Sequence, residues 1–508
     1  QKVLARSGDN LRIEWGQLYL AVPQTHGSAT IIAPADKVRR HFADSGTLPD
    51  SDDLAMPRPA NVRWPVLAAA IHLGQVGAEP VERHVLLAYD DQYSIEYLGR
   101  RCRPWWRRNG MESHELLTTA EADYDRLKKE CEAFDRELEQ DLVRVGGEKY
   151  ARVAALAFRQ CIAAHKLVAD FDGRPLFFSK ENFSNGCIAT IDVTYPSSHF
   201  FMLFNPELLK AQLTPVLDYA RSSRWKFPFA PHDLGQYPLA NGQVYGGGEA
   251  SEENQMPVEE CGNFLIMLTA LAQVDGNADY ALQHWPTVTQ WAEYLRDKGL
   301  DPENQLCTDD FAGHLAHNAN LSLKAILALA GYTRLCDMAG RKDDATSYSA
   351  LASDMARRWM EMADDGDHYR LTFDKPGTWS QKYNLVWDRL LGLNLFPPEV
   401  AAKEIAWYRK VQNRYGLPLD NRNEWTKLDW IVWSATLAER REDFDALTSP
   451  LFHFCNDTDR RVPMTDWFRT TNAQYVGFQA RSVVGGVYIP FLKDPELWKK
   501  WNRRVTGH

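Results

Sequence analysis

Lys226–Asn263, KFPFAPHDLGQYPLANGQVYGGGEASEENQMPVEECGN, has almost no regular periodicity and is dense in Pro and Gly, the strongest punctuators of regular structure. It carries His232, Asp233, Glu249, Glu252, Glu253, Glu259 and Glu260, and the apolar run Phe264-Leu265-Ile266-Met267-Leu268 follows at once. A long acidic loop that feeds an apolar helix is costly to order, and long ordered loops in compact domains are usually functional.

Outward from this loop, apolar residues recur at i, i+3 and i+4 in segment after segment. One set of segments is apolar enough to be buried all round: about 151–168, 257–274, 316–338, 380–392, 426–440 and 474–489. Between them lie charged, amphipathic segments at about 205–220, 279–298, 342–364, 398–412, 442–455 and 491–504. Six buried helices alternating with six half-exposed ones predict an (α/α)6 barrel, the inner ring covered on both sides and the outer ring on one. The chain is therefore mainly α, with a barrel domain over 113–508 led by a charged linker helix at about Ser113–Val143. Residues 1–112 read as a β-rich partial sandwich, with strands at Leu11–Trp15, Leu18–Val22, Val66–Ile71, Val85–Tyr89 and Tyr93–Tyr97. The polar stretch from Pro34 to Pro65 reads as loop with a short helix.

Composition sets limits. The 508 residues are 44% hydrophobic and 25% charged, an ordinary globular balance, and no apolar run is long enough to span a bilayer. A net charge of −10 argues against nucleic acid as a partner, and the basic run Arg100–Arg108 is local. The eight cysteines are scattered without a CxxC pair, so neither a zinc site nor a disulfide framework is predicted.

Loops that enter the inner helices of such a barrel gather at one mouth, and here they are acidic, aromatic and amide-rich. They include Phe178–Gly186, the opening loop, Leu306–Asn318, Thr378–Asp388, Pro418–Trp430 and Val462–Phe468 with Phe478–Ser482. This mix suits a small polar substrate: aromatic faces for its apolar side, amides and Arg for its heteroatoms, carboxylates for proton transfer. Each feature has a plainer reading. Asp309 and Asp310 could cap a helix, and Glu259 and Glu260 could be first-turn acids. Asp388 and Asp429 either pair with Lys or Arg or line a cavity. His314 and His317 form an HxxH without a clear third ligand, so no metal is assigned, and no cofactor either. Gly246-Gly247-Gly248 lacks the context of a phosphate loop and gives backbone freedom instead.

The strings WKFPFAPHDLGQYPLANGQVYGGGE, QMPVEECGN, ENQLCTDDFAGHLAHNANLSLKAI, GTWSQKYNLVWDRLLGL, YGLPLDNR, TKLDW and ARSVVGG resemble the glutaminase A family of secreted fungal and bacterial proteins, over about Gly8 to Gly486. The resemblance implies a β-sandwich-like N-terminal region joined to a six-hairpin, glycosidase-like barrel. It further implies hydrolysis of L-glutamine to L-glutamate and ammonia, and an exported protein, extracellular or periplasmic. Members carry a longer N-terminal region, so a separate N-terminal segment of the same precursor joins the expected partners, beside glutamine or a sugar as substrate. A glycoside hydrolase with paired carboxylates is the alternative, and a non-catalytic glycan-binding protein the second alternative. Catalysis is expected from a pair drawn from Asp310, Asp429, Glu260 and Asp388, the first two leading. Substrate contacts are expected from His232, Asp233, Trp379, Lys382, Tyr383, Arg422, Trp430 and Arg481.

Overall fold

The structure is a computed structural model that describes residues 2–506 except 12, 13, 25, 26 and 56. The chain forms two compact units, one of Ile13–Gln92 and Trp106–Phe134, the other of Leu4–Arg12, Tyr93–Trp105 and Asp135 onward.

In the first unit, Gln17–Ala21 pairs antiparallel with Leu86–Asp90, and Ala29–Pro34 pairs antiparallel with Pro65–Ala70. Ile31, Ala33 and Val38 form a small core with Leu48, Val66 and Ala68, the helix Ala35–Ser45 supplying Val38. The strand Ala29–Pro34 was not expected from the sequence. The expected strand Leu11–Trp15 includes Arg12 and Ile13, which lie outside the described residues.

The second unit is the (α/α)6 barrel. Its inner ring consists of Ile191–Phe204, Pro257–Asp275, Ala319–Met338, Tyr383–Leu390, Leu428–Thr436 and the 3₁₀ stretch Ser482–Lys493. Each packs on the next, and the last packs on the first. Outside them lie Pro206–Ala220, Trp285–Lys298, Lys342–Ala363, Pro398–Val411, Arg441–Asp457 and Pro495–Thr506.

Two expectations are corrected. The first inner helix is Ile191–Phe204, not 151–168. Residues 152, 155, 162 and 163 are exposed, so this end of the helix Ser113–Ala163 covers the ring from outside. Tyr150 there donates to the Val487 carbonyl at 2.7 Å, and Tyr488 returns a bond to the Ala154 carbonyl at 2.9 Å. The sixth inner element begins at Ser482 rather than 474. Tyr475–Gln479 is instead the outer strand of a small sheet with Thr465–Arg469 and Trp425–Lys427.

The sixth element is fitted closely to its neighbours. A Cβ on Gly485 would stand 2.4 Å from Cys161 Sγ and 3.3 Å from Phe200 Cβ. Gly485→Ala is therefore expected to destabilise the barrel by about 1–3 kcal/mol through overpacking. Thermal unfolding should show a lowered Tm, part of which Cys161→Ala restores in the double variant by removing the sulfur.

Candidate active site

Every inner element aims its N-terminus at the same opening, and the residues around it are charged. The first turns contribute Asp192, Glu259, Glu260 and Asp429. The loops add Glu181, His232, Asp233, Asp309, Asp310, Asp420, Arg422, Asp466 and Arg481, and Lys324 rises from the third inner helix. Acids belong at helix N-termini, where exposed N–H groups and the helix dipole favour negative charge. Here they are also buried, and that changes their chemistry.

Three groups of charges are balanced. Lys324 pairs with Glu259, donates to Asn263 Oδ1 at 2.7 Å and lies 4.1 Å from the centroid of the Tyr195 ring. Gly262 makes room for its stem, since a Cβ there would meet Lys324 Cγ at 2.7 Å. In the small sheet, Asp466 accepts from Lys427 at 2.7 Å and from Arg481 at 2.9 Å. Against the cost of burial, Arg481 and Lys427 hold the Asp466 carboxyl below its ordinary range. Arg481 also reaches Glu181 at 3.4 Å. Arg422 forks onto Asp420 at 2.6 and 3.1 Å and donates to the Ala312 carbonyl at 3.1 Å, which sets its guanidinium beside the Asp309–Ala312 turn.

Other carboxylates keep free oxygens. Asp309 accepts from the Tyr383 hydroxyl at 3.0 Å, while its Oδ1 has no hydrogen-bond partner. It is half-buried, and burial pushes its carboxyl up to about 7. Asp310, also half-buried, accepts from the Tyr245 hydroxyl at 2.8 Å. Asp429 is sealed from solvent, neither oxygen has a hydrogen bond, and Lys427 Nζ stands 3.8 Å away. Burial pushes it up to about 6. Glu260 is likewise buried with Oε1 free, Oε2 accepting from Asn263 at 3.0 Å, and burial raises its carboxyl well above the usual range.

The opening loop is organised by Asp233. Its Oδ1 accepts from the Gly235 and Val244 amides at 2.7 and 3.1 Å, and its Oδ2 accepts from the Tyr245 amide at 3.1 Å and the His232 Nδ1–H at 3.0 Å. The Tyr245 ring stacks on His232 with centroids 4.0 Å apart, and Asp192 lies 3.5 Å from Nε2. Burial alone would lower the His232 pKa, but Asp192 and Asp233 carry it up to about 10. Asp192 itself is pushed up to about 7 by burial. Gly246 takes a positive φ of 57° where a Cβ would sit 2.5 Å from the Asn254 carbonyl oxygen, so the glycine run serves a tight turn.

The structure thus gathers Glu260, Asp310, His232, Tyr383, Arg422, Trp430, Arg481 and Asp429 around the mouth, with Asp429 beneath its surface. It does not bring Asp388 there. Asp388 lies at the far end of the fourth inner helix, its two oxygens accepting from the Leu395 and Phe396 amides at 2.9 and 3.2 Å. That is a turn-capping role, and the expected catalytic role is corrected. Lys382 starts the same helix, but its ammonium donates to the Tyr369 and Ser380 carbonyls and the Ser380 hydroxyl at 3.0–3.1 Å, so it is a structural residue rather than a substrate contact. Asp233 has every bond filled by its own loop and is corrected in the same way. Trp379 is nearly buried, and its backbone amide is tied to Asn421 Oδ1 at 2.9 Å. Trp430 is buried beneath Tyr383, stacked at 4.0 Å and 3°. It supports the mouth from below. His317 pairs with Asp301 near the surface at 2.8 Å and His314 is exposed, so the HxxH does not converge.

Three features escaped sequence reading. Asp309, which keeps an unpartnered oxygen, was not among the expected catalytic residues. Asp192 follows no charge motif; its only signal was Asp in the first turn of a helix that was itself overlooked. Phe311, Trp425, Trp467 and Phe478 form a half-exposed aromatic cluster beside Asp310, with Phe311–Trp467 and Trp467–Phe478 centroids at 4.6 and 4.8 Å. Two ligand-like sets also converge: Asp192, His232 and Glu260, and Cys187, His232 and Asp233, each with one atom per residue mutually within 4.8 Å.

Comparison with known proteins gives the family. The Glutaminase A six helical-hairpin domain matches residues 147–491, and a domain of unknown function, DUF5127, matches residues 1–141. Glutaminase A of Aspergillus oryzae is 34% identical over 96% of this chain and 71% of its own length. The chain belongs to the glutaminase A family. A probable glutaminase of Arthroderma benhamiae is 28% identical over 97% of the chain and 68% of its own length. With this family the chain falls among the hydrolases. Among solved structures, a glycosidase in complex with glucose overlaps 67% of this chain and 96% of its own at 13% identity and a TM-score of 0.49. The family 15 glucoamylase of Hypocrea jecorina overlaps 69% of this chain and 71% of its own at 8% identity and a TM-score of 0.46.

The Lys324–Glu259 pair gives a direct stability test. Removing one partner of a buried pair leaves an uncompensated charge at a cost of about 3–5 kcal/mol. Lys324→Met is expected to lower the urea midpoint of barrel unfolding accordingly, and Glu259→Gln added to it should recover most of the loss.

Proposed function

We propose that the chain hydrolyses the side-chain amide of L-glutamine, yielding L-glutamate and ammonia, with Asp309 as the proton-transferring carboxylate. One observation carries the assignment to Asp309. It is a half-buried mouth carboxylate whose buried Oδ1 has no partner and whose proton affinity lies near neutrality. The substrate rests on the glutaminase name borne by relatives that match nearly the whole chain.

A narrow crevice beside Asp309 is lined by Cys307, Asn318, Asn320, Gln381 and Arg422, among others. Arg422, although forked onto Asp420, keeps N–H groups for an α-carboxylate, and Asn320, whose Oδ1 has no partner, offers an acceptor. Ionised Asp309 takes a proton from water as the water oxygen bonds to the amide carbon. The C–N bond then breaks, and the proton returns to the departing nitrogen, which leaves as ammonia. The Tyr383 hydroxyl on Oδ2 fixes the carboxyl and leaves Oδ1 to take the proton.

The base must be ionised to work, so kcat/KM is expected to rise with pH through about 7 and then level off. Asp309→Asn should lower turnover by about 10²-fold or more and remove that limb. A folded variant with near-native turnover and the same profile removes Asp309 from the role.

The half-exposed aromatic cluster at Phe311, Trp425, Trp467 and Phe478 favours a second reading, a glycoside hydrolase that stacks a sugar ring against Trp. Ammonia release from L-glutamine and a panel of aryl glycosides, assayed on one preparation, separates the two. The proposed function predicts ammonia without sugar release; sugar release alone establishes the second reading.

A further inference from the structure

Asp309 leaves a buried part of the mouth unused. Asp192, His232 and Glu260 come from two inner helices and the opening loop, and one ligand atom of each lies within 4.8 Å of the others. Three observations distinguish this set from an ordinary acidic cluster.

The first is the imidazole. The Nδ1–H of His232 donates to Asp233 Oδ2 at 3.0 Å, and the ring is clamped by the stacked Tyr245. Asp233 is held in turn by three backbone amides. A carboxylate that fixes one ring nitrogen, and so directs the other, is the usual outer support of a metal-binding histidine. The other ring nitrogen, Nε2, pairs with Asp192 Oδ1 at 3.5 Å, and a cation bound there takes the place of its proton.

The second is the state of the carboxylates. Glu260 is fully buried and its Oε1 has no hydrogen-bond partner; Asp192 Oδ1 has none either and meets only the His232 imidazole, 3.5 Å away. Buried carboxylate oxygens without partners are costly. The nearby lysine cannot relieve them, because Lys324 is committed to Glu259 and Asn263.

The third is access. His232 is 2% and Glu260 0% exposed but the Asp192 side chain is 11% exposed, so the set reaches solvent at Asp192. Three protein ligands with one open position is the plan of a catalytic rather than a structural metal site.

We propose that Asp192, His232 and Glu260 bind one divalent transition-metal cation. One imidazole with two carboxylates suits Zn²⁺ or Mn²⁺ better than Ca²⁺ or Mg²⁺, which take oxygen ligands. Metal–ligand bonds of about 2.1 Å in a tetrahedral site set ligand atoms about 3.4 Å apart, so side-chain atoms now within 4.8 Å of one another close in on binding. The competing set of Cys187, His232 and Asp233 is disfavoured. Burial raises the Cys187 thiol far above its usual range, and Asp233 has no free lone pair directed away from its loop. The inference is independent of whether the substrate is an amide or a glycoside.

The test uses the full chain, stripped with EDTA, equilibrated with Zn²⁺ or with Mn²⁺ and desalted, with bound metal measured by mass spectrometry. One equivalent per chain is expected. Asp192→Asn and Glu260→Gln should each reduce affinity by about 10-fold or more, while Asp429→Asn retains the metal. A folded wild-type chain that retains neither metal overturns the proposal, as does full occupancy with unchanged affinity in both variants. Should those variants fail to fold, pulsed electron paramagnetic resonance of the Mn²⁺-loaded wild type decides. Nitrogen coupling from a bound imidazole supports the site, and its absence overturns it.

Discussion

Six helix N-termini converge on one opening, and the rest of the site depends on that convergence. Their N–H groups and dipoles create a region where acids are favoured, so first-turn positions collect Asp192, Glu259, Glu260 and Asp429. The same convergence buries those acids, and burial opposes charge. The conflict is resolved residue by residue. Asp466 and Glu259 receive cations and serve as structure, whereas Asp309, Asp429, Asp192 and Glu260 retain free oxygens and elevated proton affinities. The second group is the chemically usable one.

The sorting explains why the acidic opening loop is organised as it is. Asp233 does not face a ligand. Its four hydrogen bonds fold the loop so that His232 and Tyr245 stack and Tyr245 reaches Asp310. The loop is held as well by the amides of Gln243 and Gln255, and Leu239–Ala240 pairs parallel with Glu96 and Tyr97. Glu249 does a similar service at the loop's edge, accepting from Tyr219 at 2.7 Å and pairing with Arg224 at 2.8 Å.

The barrel was legible in the sequence because its outer helices are amphipathic and its second and third inner helices are long and apolar. Ile191–Phe204 was not legible. With Thr194, Tyr195, Pro196, Ser197, Ser198 and His199 in its middle it has low helix propensity, and being buried all round it shows no 3.6-residue stripe. The stretch 151–168 was misread for the complementary reason, since its apolar face is real but single. At the site, residue type identified the mouth and could not identify partners. Asp388 and Asp310 look alike as letters; only the fold shows that one caps a turn at the far end while the other meets Tyr245. Asp309 and Asp310 are adjacent and each accepts one tyrosine hydroxyl, from Tyr383 and Tyr245, but of the two it is Asp309 that has a buried oxygen without a partner.

The central claim is that substrate is held at the opening of the crevice beside Asp309 and Arg422. A crystal structure of the Asp309→Asn variant soaked with L-glutamine tests it most directly. The account predicts the amino acid at that opening, its carboxylate on Arg422 and its side-chain amide against residue 309. Glutamine bound elsewhere on the barrel, with the crevice unaltered and empty, would contradict it.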